Sequence, residues 1–483
     1  MDNKDIALES VEDSTQQRND SMPLHDRKRE RRVKLKLDFI VLPLLATVYF
    51  LASMGRSDLG NAKISGLDTD LKLTPSQYSH VSSIFLVGHL VLQLPGTLLI
   101  RKIGPPLQFG LAMLGWGIVT ACTVFVDSYA SLMVTRALVG ACEAFYQGAV
   151  FYLSFWYTYK ELATRGAVFY SMSALAGAFN GLIAYAVQKN LAHVSSWSPW
   201  QWLFLIEGVV PIGWAFVVWI FLPATPENTK LYFNEDEKAL LIERSRQAYN
   251  TGESKIIPKL ILRVLLDPKF WFLVVVESAT LFCLSSLSNF LPAILHSFGW
   301  STVKSQLMTV IVYACGFANI LFSARISDKL QKRGIVIIVN LMIGAVGYIL
   351  LLTLKGASGR FAGACIVAIG MYPNVVIVLT WMATINIGYT YRASAAALIN
   401  SIAQAVAIGS NEVYNDPPYY KKGHGAALGM AAAGVASCGL LLLLLRYEND
   451  KKRKEQFSEK ATELRNVSID EIGNKHPDYF FSY

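Results

Sequence analysis

The sequence predicts an all-α polytopic membrane protein, with twelve transmembrane helices arranged as two six-helix bundles. Three observations carry this reading. Of 483 residues, 53% are hydrophobic and only 16% charged, with a mean hydropathy of +0.37; soluble domains of that total length need far more charge to coat their surfaces. The charges crowd into the ends and a few short segments, leaving apolar runs of about 20 residues, enough to cross a hydrocarbon core of about 30 Å as helices. A polar segment from Pro223 to Lys269 then divides the runs six and six.

Residues 1–36 are polar and rich in Ser, Asp, Glu, Lys and Arg, so they read as a disordered cytoplasmic tail rather than a cleavable signal. The run "RKRERRVKLK" (27–36) directly precedes the first apolar stretch, where the positive-inside rule places cytoplasmic Lys and Arg. That placement accounts for the net charge of +9 without invoking nucleic acid.

The first bundle is expected over 37–222, with spans near 37–55, 79–100, 107–126, 129–153, 165–188 and 202–222. The linker 223–269 contains "FNEDEKALLIERSRQAY", in which Asn234 can cap a short amphipathic helix whose first turn carries Glu235, Asp236 and Glu237. The second bundle is expected over 270–446, with spans near 270–294, 304–324, 335–354, 360–383, 393–411 and 425–446.

A basic stretch, "RYENDKKRKE", follows the last span and leads into a tail (447–483), so both termini are expected in the cytoplasm. Loop charges agree in part: Arg101, Lys102, Lys160, Arg165 and Arg392 fall on the expected inner side, but Lys63, Lys72 and Lys189 fall on the outer. The six cysteines lie within apolar runs without metal-ligand spacing and read as packing residues. Sequons at Asn19 and Asn466 sit in the cytoplasmic tails and are expected to be unused. No metal or cofactor is implied.

The costly residues are the intramembrane charges. In "RALVGACEAFYQG" (136–148), Arg136, Gly140, Glu143 and Gln147 fall at i, i+4, i+7 and i+11, one face of a helix. Charge facing lipid costs several kcal/mol, so this face must turn toward a water-filled cavity or a partner helix. Gly140 lets that partner's backbone approach. The stretch is either a buried ion-pair strut or a coupling site in which Arg136 lies on the coupling route and Glu143 exchanges a proton as its arginine partner moves.

His89, with Gln93 one turn later, is either a hydrogen-bonded imidazole of the bundle or a substrate- or proton-carrying group. Glu207 reads as half of a structural pair. Glu277 has no sequence-local partner and is a further proton-site candidate. Asn289 and Trp381 are of a type that lines polar cavities. Arg136 is the one Arg or Lys expected inside the first bundle, with Arg56 and Lys63 just past span 1 on the outer side. After span 8, "ARISDKLQKRG" sets Asp328 among Arg325, Lys329 and Arg333, a turn whose acid can pair in only one of two access states.

These residues also carry a resemblance. The turn after span 8 is similar to the Gly-x-x-x-Asp-Arg-x-Gly-Arg-type signature of the major facilitator superfamily, with alanine in place of the first glycine. "RALVGACEAFYQG" resembles its span-4 motif Arg-x-x-x-Gly-x-x-Glu, with Gln147 where a proline is expected. "GRSDLGNAKISGL" (55–67) resembles the Asp-Arg-Ser-Asn-Ile-Gly-Asn-Ala stretch of fungal allantoate-permease-type anion:cation symporters, as do "WQWLFLIEG", "FLPATPEN" and "NDPPYYKKGHG". That family more often has tyrosine where this chain has His89.

The resemblance implies the major facilitator fold and proton-coupled uptake of a small organic anion (a carboxylate, vitamin or ureide) by alternating access. It implies a monomer in the lipid bilayer, with the plasma membrane as the expected site and an endomembrane as the alternative. A transporter-fold nutrient sensor and a carrier of a non-anionic solute stay open beside it. A membrane-embedded enzyme does not fit: no His-x-x-x-His, paired-Asp or Gly-x-Ser-x-Gly pattern supplies a nucleophile, base or metal site.

Overall fold

A computed structural model describes residues 24–483 apart from 158, 192–193, 195, 230–231, 250–257, 387–388, 457, 466–473, 475, 478 and 483. The tail before Leu24 and both sequons lie outside the described residues. The helices run in chain order as α1 (Leu24–Ala62), α2 (Pro75–Ile103), α3 (Pro105–Cys122), α4 (Tyr129–Glu143), α5 (Ala149–Trp156), α6 (Tyr159–Asn190) and α7 (Pro199–Phe221). Two shorter helices follow, α8 (Glu235–Tyr249) and α9 (Pro258–Leu266). Then come α10 (Pro268–His296), α11 (Thr302–Leu330), α12 (Arg333–Thr353), α13 (Ala357–Ile385), α14 (Tyr389–Val413), α15 (Lys421–Glu455) and α16 (Glu459–Arg465). Among the described residues, 9 helical segments are long and apolar enough to cross a membrane.

Local chemistry sets several starts. Thr74 Oγ1 accepts from the Gln77 N–H at 3.2 Å while Gln77 Oε1 accepts from the Thr74 N–H at 3.0 Å, with Pro75 at the first helical position of α2. Asp267 Oδ1 accepts from the Lys269 N–H at 3.0 Å to open α10.

Four expectations change. First, α1 begins at Leu24, so the basic run 27–36 is helical rather than disordered. Ion pairs hold it down: Lys36 to Glu237 at 2.8 Å, Lys34 to Glu161 at 2.7 Å and Arg29 to Asp236 at 3.1 Å. Second, α1 runs on to Ala62, past the end of its apolar stretch, so Arg56 is inside the helix and not in an outer loop.

Third, the expected single span 129–153 is broken. The helix ends at Glu143, makes one tight turn over Ala144–Tyr146 and resumes at Ala149. Gln108 Nε2 stabilises the break by donating to the Phe145 carbonyl at 2.8 Å and the Gly96 carbonyl at 2.7 Å. Fourth, the C-terminal tail is partly packed. Asn449 clamps the Phe481 backbone through two hydrogen bonds of 2.9 Å, and Phe481 is buried between Lys269 and Lys452.

The two halves of the chain meet at the end opposite α8. There Tyr78 Oη donates to the Asn289 carbonyl at 3.2 Å, Ser83 Oγ donates to Glu412 at 2.6 Å and Gln306 Nε2 donates to Ser65 Oγ at 3.0 Å. A Cβ on Gly60 would lie 2.7 Å from the Asn289 carbonyl, so glycine is needed for this approach.

Candidate functional site

Helices α1, α4 and α7 bring five charged side chains into the interior of the first half. Asp58 is 0%, Glu143 1%, Arg136 3% and Glu207 6% exposed, whereas the Arg56 side chain keeps 29%. Burial on this scale is tolerated only where charges meet one another or polar groups.

Arg56 is the hub. Its Nε lies 3.4 Å from Glu143 Oε2 and its Nη2 donates to Tyr146 Oη at 2.6 Å. A Cβ on Gly55 would lie 3.6 Å from Glu143 Oε1, an ordinary contact, so this approach does not itself require glycine. Arg136 does not bond Glu143 directly. Its Nη1 donates to the Gly55 carbonyl at 3.4 Å, and its guanidinium stands 5.4 Å above the Phe85 ring.

On the other side of α1, Asn180 of α6 holds the second acid. Its Nδ2 donates to Asp58 Oδ1 at 2.6 Å, to Ser57 Oγ at 3.0 Å and to the Met54 carbonyl at 3.0 Å. Asn61 in turn donates to Asn180 Oδ1 at 2.7 Å. The Glu207 carboxyl lies beside that of Asp58, within reach of a hydrogen bond if one of them is protonated.

Close helix contact fixes this geometry. A Cβ on Gly140 would collide with the Phe85 carbonyl and come within 3.2 Å of the His89 amide nitrogen, so α2 and α4 touch backbone to backbone. In that layer Gln147 Nε2 is 2.6 Å from His89 Nε2. Because the helix breaks after Glu143, Gln147 leaves the regular face expected of it, yet it still meets its neighbour. The Gln93 amide oxygen is buried with no hydrogen-bond partner among the described residues.

The other candidates lie apart. Glu277 is buried in α10, with Oε2 lacking a hydrogen-bond partner among the described residues. Asn289 Nδ2 donates to Asn411 Oδ1 at 2.9 Å, at the end where the two halves meet. Trp381 is fully buried in α13, and its Nε1 donates to the Ser482 carbonyl at 3.2 Å in the returning tail. Arg325, Asp328 and Lys329, expected in a turn, lie in the last turns of α11 and are exposed. Arg333 is nearly buried and donates to Thr384 Oγ1 at 2.9 Å rather than to Asp328.

Sequence reasoning missed Asp58 as a site residue and did not set Arg56 inside the bundle. Arg56 was placed outside because its apolar run ends before it. For Asp58 the signal was present: it stands where the similar carriers have asparagine.

Comparison with known proteins agrees with this architecture. The family model described as Major Facilitator Superfamily matches residues 45–410. The chain is 32% identical over 444 residues to the uncharacterized transporter C1683.12 of Schizosaccharomyces pombe, covering 91% of each chain. It is 28% identical to the high-affinity nicotinic acid transporter of Saccharomyces cerevisiae over 486 residues, covering 99% of this chain and 90% of that one. In fold it is similar to a bacterial homolog of the human lysosomal transporter Spinster in an inward-facing, unoccupied conformation. That match has a TM-score of 0.63 at 15% identity, covering 83% of this chain and 96% of that chain.

Proposed function

The chain belongs to the major facilitator superfamily, and from that premise we propose that it is a proton-coupled carrier of a small organic anion, working as a monomer in the plasma membrane with both termini in the cytoplasm. One observation carries the anion assignment. Arg56 is tied to Glu143 and Tyr146 yet retains 29% of its side-chain exposure, while every other charge of the cluster is sealed. A guanidinium held in place and partly open is a two-point dock for a carboxylate.

The similarity to a nicotinic acid transporter supports a carboxylate substrate. Three buried carboxyls in the same half, Asp58, Glu143 and Glu207, supply groups able to exchange a proton. The basic stretches in the first turns of α1 and the last turns of α15 support cytoplasmic termini.

The test is uptake of labelled organic anions, nicotinate among them, in cells lacking their own uptake systems, at two external pH values. Uptake should rise as external pH falls and collapse with a protonophore. Uptake indifferent to both overturns the symport reading, and uptake confined to uncharged solutes overturns the anion reading.

A further inference from the structure

A guanidinium without an acid stands in the second half, at the end opposite α8. Arg360, in the first turn of α13, is 3% exposed. Its Nε and Nη2 are buried without a hydrogen-bond partner among the described residues, and no described carboxylate forms an ion pair with it. Its cover is aromatic: Cζ stands 4.4 Å from the centre of the Phe298 ring and 5.3 Å from that of Tyr419. Ring faces attract the cation but leave its in-plane N–H groups without an acceptor.

Those two groups share one edge of the guanidinium, the edge that grips both oxygens of a single oxyanion. Arg165 shows the same edge in use: its Nε and Nη2 donate to Asp38 Oδ1 and Oδ2 at 3.0 and 2.7 Å. At Arg360 no described residue takes that part. A buried charge left in this way costs several kcal/mol, and an anion removes the cost.

The surroundings favour an anion as well. The first turn of α13 carries the positive end of the helix dipole, where cations are disfavoured, and Gly356 brings no side chain to cap it. Lys421, the first residue of α15, adds positive charge 5.9 Å from the centre of the same Tyr419 ring. The acids of this end are spent elsewhere. Asp416 accepts from the Lys422 N–H at 3.2 Å, and Glu412 accepts from Ser83 Oγ at 2.6 Å, with His80 at 3.6 Å. Phe361, next to Arg360, packs its ring 5.4 Å from that of Trp300, an aromatic pair of the kind found at a membrane boundary.

We propose that Arg360 is the centre of an oxyanion site, distinct from the Arg56 dock, that binds a carboxylate or phosphate group side-on through Nε and Nη2. Tyr419, 56% exposed on the loop before α15, covers the site, and rotation of its side chain admits the ligand. Phe298 after α10, Arg360 in α13 and Tyr419 before α15 meet there, so the bound anion ties three helix ends together. The oxyanion comes from solution or from a lipid headgroup; the chemistry of the grip is the same. The site stands or falls apart from the transport reading.

The experiment follows thermal unfolding of the purified full-length protein in detergent against inorganic phosphate or acetate, with sodium chloride holding ionic strength constant. In a parallel titration the probe is a short-chain phosphatidylglycerol. The wild-type midpoint should rise and saturate with at least one probe, because a ligand of the folded state stabilises it by mass action. Arg360→Gln should lose the saturable rise, and Arg360→Lys should weaken it, since a point charge lacks the fork.

A rise with the free anions assigns the oxyanion to solution, and a rise with the lipid alone assigns it to the headgroup. No saturable rise with any of the three probes overturns the site. So do parallel curves for the wild type and Arg360→Gln, which is what a guanidinium that only packs against the rings would give. The wild-type titrations need no variant, so the inference stays testable if a substitution fails to fold.

Discussion

Glu143 lies 3.4 Å from Arg56 Nε and not against Arg136, the arginine that shares its helix. The pair therefore crosses from α1 to α4, so any relative movement of these helices alters the environment of a buried carboxyl. An intrahelical pair would be indifferent to such movement. Within the cluster Arg56 is also the one charge that keeps partial exposure, at 29% of its side chain.

Arg56→Ala should abolish saturable uptake, because it removes the dock and strands Glu143 without its cation, at about 3–5 kcal/mol for an unpaired buried partner. Arg56→Ala combined with Glu143→Gln should recover expression and thermal stability but not uptake. Transport by the single variant at the wild-type rate would refute the dock.

Arg136→Lys should reach the membrane and transport poorly. A lysine there cannot keep both the Gly55 carbonyl contact and the flat approach to Phe85, and it offers one point charge where a guanidinium offers a fork. Surface labelling with parallel uptake assays checks this; wild-type uptake would make Arg136 a tolerated packing charge.

Asp328→Asn should lower maximal flux and leave the half-saturation concentration nearly unchanged. Asp328, near the end of α11, is exposed and Arg333, at the start of α12, is engaged with Thr384, so in this state the two make no acid–base lock. A role in cycling changes rates between states. A large loss of affinity at constant flux would contradict it.

Gly140→Ala should destabilise the protein by about 1–3 kcal/mol, since its Cβ would strike the Phe85 carbonyl and push α2 from α4. Gly213→Ala in α7 has open space around it and should be neutral. Thermal unfolding in detergent compares the two; equal midpoints would show that the close approach is not needed.

Acidification should release α8 from α1. Burial alone would raise the Glu237 carboxyl, but hydrogen bonds from Lys36 Nζ and the Asn234 N–H, with the charges of Lys36 and Arg29, hold it below its ordinary value. A carboxyl depressed in the folded state stabilises it above the unfolded pKa of about 4.3, and that contribution is lost as pH falls through the folded value. Lys36 is partly exposed, so the gain is about 1 kcal/mol or less. Hydrogen exchange of α8, corrected for intrinsic rates, should accelerate as pH drops below about 4, and Glu237→Gln should remove that dependence. Unchanged exchange would leave the docking to the other ion pairs.

The sequence by itself determined the solvent. Long apolar runs and charge confined to their flanks leave helices as the structure that satisfies the backbone in lipid, and the turn and span-4 motifs point to the family. It also named Gly140 as a contact point, because a small residue between two charges on one helix has few other uses. Tertiary structure alone decided which charges meet. Arg56 enters the site because α1 continues beyond its apolar stretch, Gln147 meets His89 because α4 breaks where Gln108 can satisfy a freed carbonyl, and Trp381 is taken by a tail about 100 residues away in sequence. Asp58 and Glu207 become partners only when α1 and α7 pack together. Periodicity reports the face of one helix; a charge pair is a property of two, and its register is set by the packing between them.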